Sequence, residues 1–276
     1  MEIDPEKIAQ LEDYLNKLGK VVVAFSGGVD STFLAAVAYR ALGENALAVT
    51  ADSPTFSQRE KQDACLMAAQ IGIRHQFIVT DELNNSKFSA GPPDRCYYCK
   101  KDRFLKLRSW AEEQGYNWVI EGSNADDLRD YRPGMKGLAE VAGVKSPLLE
   151  IGFSKEEIRA GAKNWGLPVW DKPAAACLAS RLAYGLPITA ENLQQVELAE
   201  EIIRQFSPGQ VRVRHHGNLA RIEVETSSVP LLLEPTRMAH IAEKLKNLGF
   251  TYVTLDLTGY QMGSMNQTLS DTKELE

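Results

Sequence analysis

No stretch of this 276-residue chain carries the roughly 20 consecutive apolar residues that a helical membrane span needs, so no membrane partner is expected. The opening MEIDPEKIAQ is acidic and polar where a secretory leader is basic and then apolar, which leaves the cytoplasm as the expected compartment. Cysteine is scarce: Cys65, Cys96, Cys99 and Cys177 are the whole set, too few for a disulfide scaffold of this length. Basic charge is scarce as well. A formal net charge of -6 and a pI near 5.4 exclude a protein that holds nucleic acid mainly by neutralising phosphates, though not a local basic pocket. Internal repeats and low-complexity tracts are absent.

What is present is an ordinary soluble mixture, 44% hydrophobic and 25% charged, long enough for a large and a small domain. Asp4 as N-cap and Pro5 at the first helical position open a helix to about Leu18. Val21–Val23 reads as a buried strand, Thr32–Leu42 as a helix and Ala46–Thr50 as a second strand, a βαβ unit with parallel pairing. Helices at Gln58–Ile71, Tyr98–Gln114 and Lys155–Trp165 alternate with strands at Gln76–Thr80 and Trp118–Glu121. The expected fold is α/β, a doubly wound parallel sheet over residues 1–186. After Pro187 the texture changes. A helix at Ala190–Phe206 capped by Thr189, two strands in VRVRHHGNLARIEV, a helix at Thr236–Leu248 and a strand at Tyr252–Leu257 predict a smaller α+β domain over 187–276, ending in a loose tail, SDTKELE.

The first strand runs into Ser26, Gly27, Gly28, Val29, Asp30 and Ser31 and then a helix. That order gathers backbone N–H groups, two hydroxyls and a helix N-terminus around one point, a site suited to phosphates. An ordinary βα turn that happens to hold two glycines is the alternative. It is not a Walker loop, which carries a lysine that this segment lacks. Instead SGGVDS resembles the PP-loop of the N-type ATP pyrophosphatases, such as GMP synthetase, NAD synthetase, asparagine synthetase and the tRNA-thiolating enzymes. The resemblance implies ATP with Mg2+, pyrophosphate in the loop, and attack on the α phosphate. Asp30 then stands near metal or phosphate, and the nucleotide lies against Ala51–Ser53 and Gly122, at the carboxyl ends of strands.

Cys96 and Cys99 lie in DRCYYCKK at a helix start and Cys177 in AAACLASR, so a CxxC pair and a remote cysteine can offer three thiolates to one centre. Zinc would need a fourth ligand from His75, His215 or His216. A 4Fe-4S cluster would keep one iron open, and a dithiol redox pair beside a merely buried Cys177 also fits the spacing. Cys65, inside the helical pattern KQDACLMAAQ, is expected in the core.

Taken together, SGGVDS, NADDLRDYRPG, CLASRLAYG, VRVRHHGNLARIE and YVTLDLTGY resemble the LarE family of ATP-dependent sulfurtransferases, which help to make the nickel-pincer nucleotide cofactor of lactate racemase. The likeness runs over nearly the whole chain. It implies a small-molecule nucleotide substrate, pyridinium-3,5-biscarboxylic acid mononucleotide, whose carboxylates are adenylylated and converted to thiocarboxylates. It also implies a homo-oligomer such as a hexamer. In one form of the family the counterpart of Cys177 gives up its own sulfur, and that form lacks the CYYC pair. The pair here is similar to the other branch, in which Cys96, Cys99 and Cys177 would hold a 4Fe-4S cluster that carries sulfide.

Arg212, Arg214 and Arg221 alternate along strands and make a positive patch in an acidic protein. A solvated edge strand is one reading. The other, which the resemblance supports, is that Arg212 and Arg214 fork onto the phosphate and carboxylates of the substrate, with Ser180, Arg181 and Glu200 as further substrate-site or catalytic groups. A tRNA thiolase is the main rival but would be expected to carry an RNA-binding extension. A non-catalytic nucleotide or metal sensor and an amidotransferase-linked synthetase are the others.

Overall fold

Asp4 accepts a hydrogen bond from the Glu6 amide at 2.9 Å and Pro5 follows it, so the first helix starts where the local chemistry predicts. The computed structural model describes residues 4–129, 133–173 and 176–267; the DYR of DYRPG and the tail SDTKELE lie outside them. In chain order the elements are α1 (Pro5–Leu18), β1 (Val21–Ala24), α2 (Val29–Leu42), β2 (Ala46–Asp52), α3 (Gln58–Ile71), β3 (Arg74–Val79), the single turn α4 (Ser86–Ser89), α5 (Arg95–Glu113) and β4 (Trp118–Ile120). There follow α6 (Pro133–Ala139), β5 (Val144–Lys145), α7 (Pro147–Ile151), α8 (Lys155–Asn164), α9 (Ala190–Arg204), β6 (Val211–His215), β7 (Leu219–Val224), the short α10 (Val229–Leu232), α11 (Pro235–Asn247) and β8 (Tyr252–Leu255).

These gather into two compact units, one of residues 4–82 and 96–173, the other of 83–95 and 176–267. The first is the α/β part. Its five strands are all parallel in the order β3-β2-β1-β4-β5, with Val21 against Ala46 on one side and Trp118 on the other. Val21 and Val23 enter one apolar layer with Leu11, Leu15, Phe33 and Ile158, while Val22 enters the opposite layer with Phe104, Leu107 and Val119. A strand buried on both faces has no polar side to show, which is why β1 reads as unbroken valine. Because β1 lies between β2 and β4, strand order reverses at its carboxyl end, where an open α/β sheet forms its crevice.

On α3 the packed face is Ala64 and Ala68, one turn apart. Cys65 therefore points away from it and is exposed beside Leu66. That corrects the expected core position: the alanines, not the cysteine, carry the apolar period of this helix.

In the second unit, β6 pairs antiparallel with β7 and β7 pairs parallel with β8, under α9 and α11. Residues 83–95 and 176–186 belong here too. The Ile188 amide donates to Ser89 O at 2.7 Å, the Gly185 amide to Gly91 O at 2.8 Å, and Arg95 Nη2 to Leu182 O at 3.0 Å. No helix among the described residues is long and apolar enough to cross a membrane.

Candidate active site

The loop after β1 folds onto its own hydroxyls. Ser31 Oγ donates to Gly28 O at 3.2 Å and lies 3.1 Å from Ser26 Oγ, and the Ser26 amide donates to Ser31 Oγ at 3.3 Å. Gly28 is the N-cap of α2, and no side chain caps that helix. Its first amides are left for an outside acceptor, the arrangement that binds anions. Gly27 has φ +66°, and a Cβ there would stand 2.8 Å from the Ala64 Cα, so only glycine lets the loop lie against α3. Gly122 is also needed for closeness: a Cβ would meet the Ser31 amide nitrogen at 3.0 Å, and its absence brings the end of β4 onto the start of α2.

At this crevice lies a cavity of about 270 Å³. Of the residues expected at the nucleotide, Ser26, Gly28, Asp30, Ser31 and Gly122 line it, together with Ala51. Gly27 does not line it, and neither does Ser53, which is buried with its hydroxyl 2.7 Å from Thr55 Oγ1. One wall is apolar, built from Phe25, Val49, Phe56, Phe104 and Leu107. The polar remainder holds Asp30, Glu121 and Asp127 with the cations Lys100 and Arg103. Asp30 pairs with Lys155 through Oδ2 and accepts from Asn124 Nδ2 at 3.3 Å through Oδ1.

Lys100, Arg103, Glu121 and Asp127 were not legible in the sequence as site residues. The two cations lie on α5, whose first turn holds Cys96, exposed, and Cys99, buried. Three residues apart on a helix, the two sulfurs share a face. Arg103 donates to Glu82 Oε1 at 2.7 Å, to Thr55 Oγ1 at 3.0 Å and to Cys99 Sγ at 3.6 Å. Burial would push the Glu82 carboxyl up, but the Arg103 charge and hydrogen bonds outweigh it and hold that carboxyl below its ordinary value. Helix α6, which opens on the last two residues of DYRPG, packs closely on this helix: a Cβ on Gly134 would come within 3.4 Å of Cys96 O, and one on Gly137 would strike Tyr97 O at 2.5 Å.

The arginine hairpin of the second unit is not a solvated edge. Strand β6 is at the sheet edge, yet all five of its residues are buried, and a bridge from Leu182 to His215 covers that edge. Arg214 donates through Nε and Nη2 to Glu223 Oε2 at 3.0 and 2.8 Å, and Arg221 reaches Glu223 Oε1 at 3.0 Å. Glu200, 1% exposed, takes Arg181 Nε at 2.8 Å and Arg204 Nη2 at 2.6 Å. Among the described residues Arg212 makes no ion pair; Nη1 donates to Val211 O at 2.8 Å and the group lies over the Tyr260 ring. Burial, then the nearby Arg181 charge, pull its pKa below the ordinary arginine value. Here buried guanidinium charge exceeds buried carboxylate charge, which favours an anion.

Ser180 and Arg181 are brought to the Cys177 turn. Ser180 Oγ donates to Cys177 O at 2.8 Å, and Arg181 Nη1 donates to the same oxygen at 3.0 Å and also to Ala176 O. Cys177 itself is half-buried. Of the histidines considered as ligands, His215 uses both ring nitrogens, Nε2 against Gln195 Oε1 at 2.8 Å and Nδ1 as acceptor of the Gly217 amide at 3.1 Å. Among the described residues no three His, Cys, Asp or Glu side chains are grouped to hold a metal ion.

Comparison with known proteins supplies the remaining facts. The NAD synthase family model matches residues 5–91, the stretch that carries the loop. An uncharacterised protein of Synechocystis sp. is 45% identical over 96% of this chain and 98% of its own length. The pyridinium-3,5-bisthiocarboxylic acid mononucleotide synthase of Lactiplantibacillus plantarum is 38% identical over 96% of this chain and 95% of its own. An uncharacterised protein of Methanocaldococcus jannaschii is 31% identical over 91% and 93%.

Proposed function

The chain belongs to the LarE family of PP-loop enzymes, and from that premise we propose that it uses ATP to convert the carboxylates of pyridinium-3,5-biscarboxylic acid mononucleotide into thiocarboxylates. What carries the reading is that likeness to the Lactiplantibacillus plantarum synthase spans 96% of the chain, so it covers both the phosphate-binding crevice and the arginine centre. A substrate carboxylate oxygen attacks the α phosphorus, the bond to the β phosphate breaks, and pyrophosphate departs against the α2 amides and the hydroxyls of Ser26 and Ser31. The acyl adenylate so formed is a good acyl donor where a carboxylate is not. A sulfur nucleophile then adds at the acyl carbon and AMP leaves with the former carboxylate oxygen.

Mg2+, which neutralises phosphate charge, would come in on the ATP phosphates with its waters and need only one carboxylate of the crevice, Asp30 or Asp127. Arg212 and Arg214 take the phosphate and a carboxylate of the substrate, the excess of buried guanidinium charge being the feature that favours a multiply charged anion. Glu200 holds Arg181 and Arg204 in place, and Ser180 and Arg181 fix the turn that presents Cys177. The same reading makes the enzyme a cytoplasmic homo-oligomer.

For the sulfur we name a 4Fe-4S cluster with Cys96, Cys99 and Cys177 as ligands. Two thiolates on one face of the first turn of α5 fit two irons of a cluster. Bound through three cysteines, the cluster would leave one iron without a protein ligand, able to carry sulfide. Chain residues then have only to keep the thiolates in position and water away from the adenylate.

Anaerobic enzyme, ATP, sulfide and the mononucleotide are expected to give AMP, pyrophosphate and a product in which sulfur replaces oxygen, over many turnovers per chain. Replacing Cys96 and Cys99 together by alanine abolishes repeated turnover. Full turnover in that double variant would remove the cluster. One transfer per chain, with Cys177 recovered lacking its sulfur, would make Cys177 a sacrificial donor.

A further inference from the structure

The phosphate loop contains no cation, although ATP brings several negative charges to it and amides and hydroxyls supply none in return. Two lysines reach the loop but are held by carboxylates, and Lys172 also donates to Gly27 O at 3.4 Å. Lys155 is paired with Asp30, and Lys172 with Asp63 at 2.7 Å, and neither lines the cavity. Arg103 does line it, but its guanidinium is the partner of Glu82, which is 1% exposed, so it cannot leave without stranding a buried carboxylate.

Lys100 differs from all of these. It lines the cavity, and its one ion pair among the described residues is a long 3.4 Å contact with Glu121. Glu121, 5% exposed, is buried too but keeps three donors when Lys100 moves away. Its oxygens already accept from Ser146 Oγ at 2.6 Å, Ser123 Oγ at 2.8 Å and the Ser123 amide at 3.1 Å. The stem of Lys100 is seated by α6: a Cβ on Gly134 would come within 3.1 Å of Lys100 Cδ, so a bare glycine backbone leaves the space that this side chain uses.

We propose that Lys100 is the phosphate-gripping cation of the nucleotide site, delivered from the cysteine-bearing helix rather than from the loop, with Arg103 as a fixed second charge behind it. The inference deepens the reading of the cavity as the ATP site and rests on it. A compact ammonium with three donors on a flexible stem can follow the polyphosphate from one oxygen to another. One consequence is mechanical. Cys96, Cys99, Lys100 and Arg103 fall within about two turns of one helix, so a nucleotide held by Lys100 also fixes the helix on which the cysteine pair stands.

The test measures binding of an ATP analogue with an uncleavable α–β bridge, with magnesium, and of adenosine. The proteins compared are the full-length chain and its Lys100→Gln, Lys100→Arg and Lys101→Gln variants. Lys101 pairs with Glu140 at 2.5 Å and is not part of the cavity wall, so its loss removes the same charge one residue further along. Lys100→Gln is expected to weaken the analogue roughly 10- to 100-fold, the scale of a lost charged hydrogen bond, while adenosine binds as before. Lys100→Arg restores most of the affinity and Lys101→Gln changes neither ligand. Unchanged analogue binding in Lys100→Gln, or an equal loss for adenosine, overturns the assignment. If the unaltered chain binds no analogue at all, the nucleotide reading falls with it, a result distinct from either.

Discussion

Glu200→Gln is expected to destabilise the second unit by about 3–5 kcal/mol, the usual cost of breaking a buried ion pair from one side. The substitution keeps the volume and removes the charge that Arg181 and Arg204 share, and Arg181 and Arg212, 5% and 7% exposed, are left facing each other without it. Hydrogen exchange at the amides of α9 and β6 reads the loss directly. Trp110, Trp118, Trp165 and Trp170 all lie in the first unit, so tryptophan fluorescence alone would miss it. The same residue sets an acid limit. Burial alone would raise the Glu200 carboxyl, but the charges of Arg181, Arg204 and Arg212 overcome it and hold its pKa below the ordinary 4.5. A carboxyl lowered on folding contributes fully above its unfolded pKa and ceases to contribute as pH falls through the folded one. The unaltered chain therefore loses this stability below about pH 4.5, and Glu200→Gln shows a shallower acid decline.

The second large effect is at the loop, where two adjacent glycines part company. Gly27→Ala must hold φ near +66° and place a Cβ 2.8 and 2.9 Å from backbone atoms of Ala64, which cannot move without α3. The loop shifts instead. A displacement of about 1 Å in a reacting geometry is enough to lower kcat/KM for pyrophosphate release roughly 100-fold. Gly28→Ala meets nothing nearer than Ser26 Oγ at 3.4 Å and keeps a φ of -83° that any residue adopts, so the loop holds its shape. Steady-state pyrophosphate release on the two variants separates them. Equal losses would mean that the loop is shaped by something other than its contact with α3.

Local chemistry explains what was legible in advance. Helix α3 runs from Gln58 to Ile71 as expected because Ser57 and Glu60 form a capping box at one end and Gly72, left-handed, closes the other. Thr189 caps α9 more simply, its hydroxyl accepting from the Asn192 amide at 3.2 Å. The loop after β1 was readable because all its donors lie within six residues. Lys100 and Arg103 were not, since only the sheet order brings α5 to that crevice. Burial of Arg212 and Arg214 was hidden for another reason. Alternating charge on a strand normally marks a wet face, and here the cover comes from distant residues, Leu182 along the strand edge and Tyr260 over Arg212. Cys65 was misread because the helical period of α3 is carried by alanines, the least conspicuous apolar residues.

The most direct test of an activated carboxylate is to follow its oxygen. The mononucleotide is prepared with heavy oxygen in both carboxylates and incubated with the enzyme, ordinary ATP, magnesium and sulfide without air, and the AMP is weighed by mass spectrometry. If each carboxylate is adenylylated before sulfur replaces its oxygen, every AMP formed carries one heavy oxygen and the product gains one sulfur for each. Unlabelled AMP, or ADP and phosphate in its place, would contradict the account.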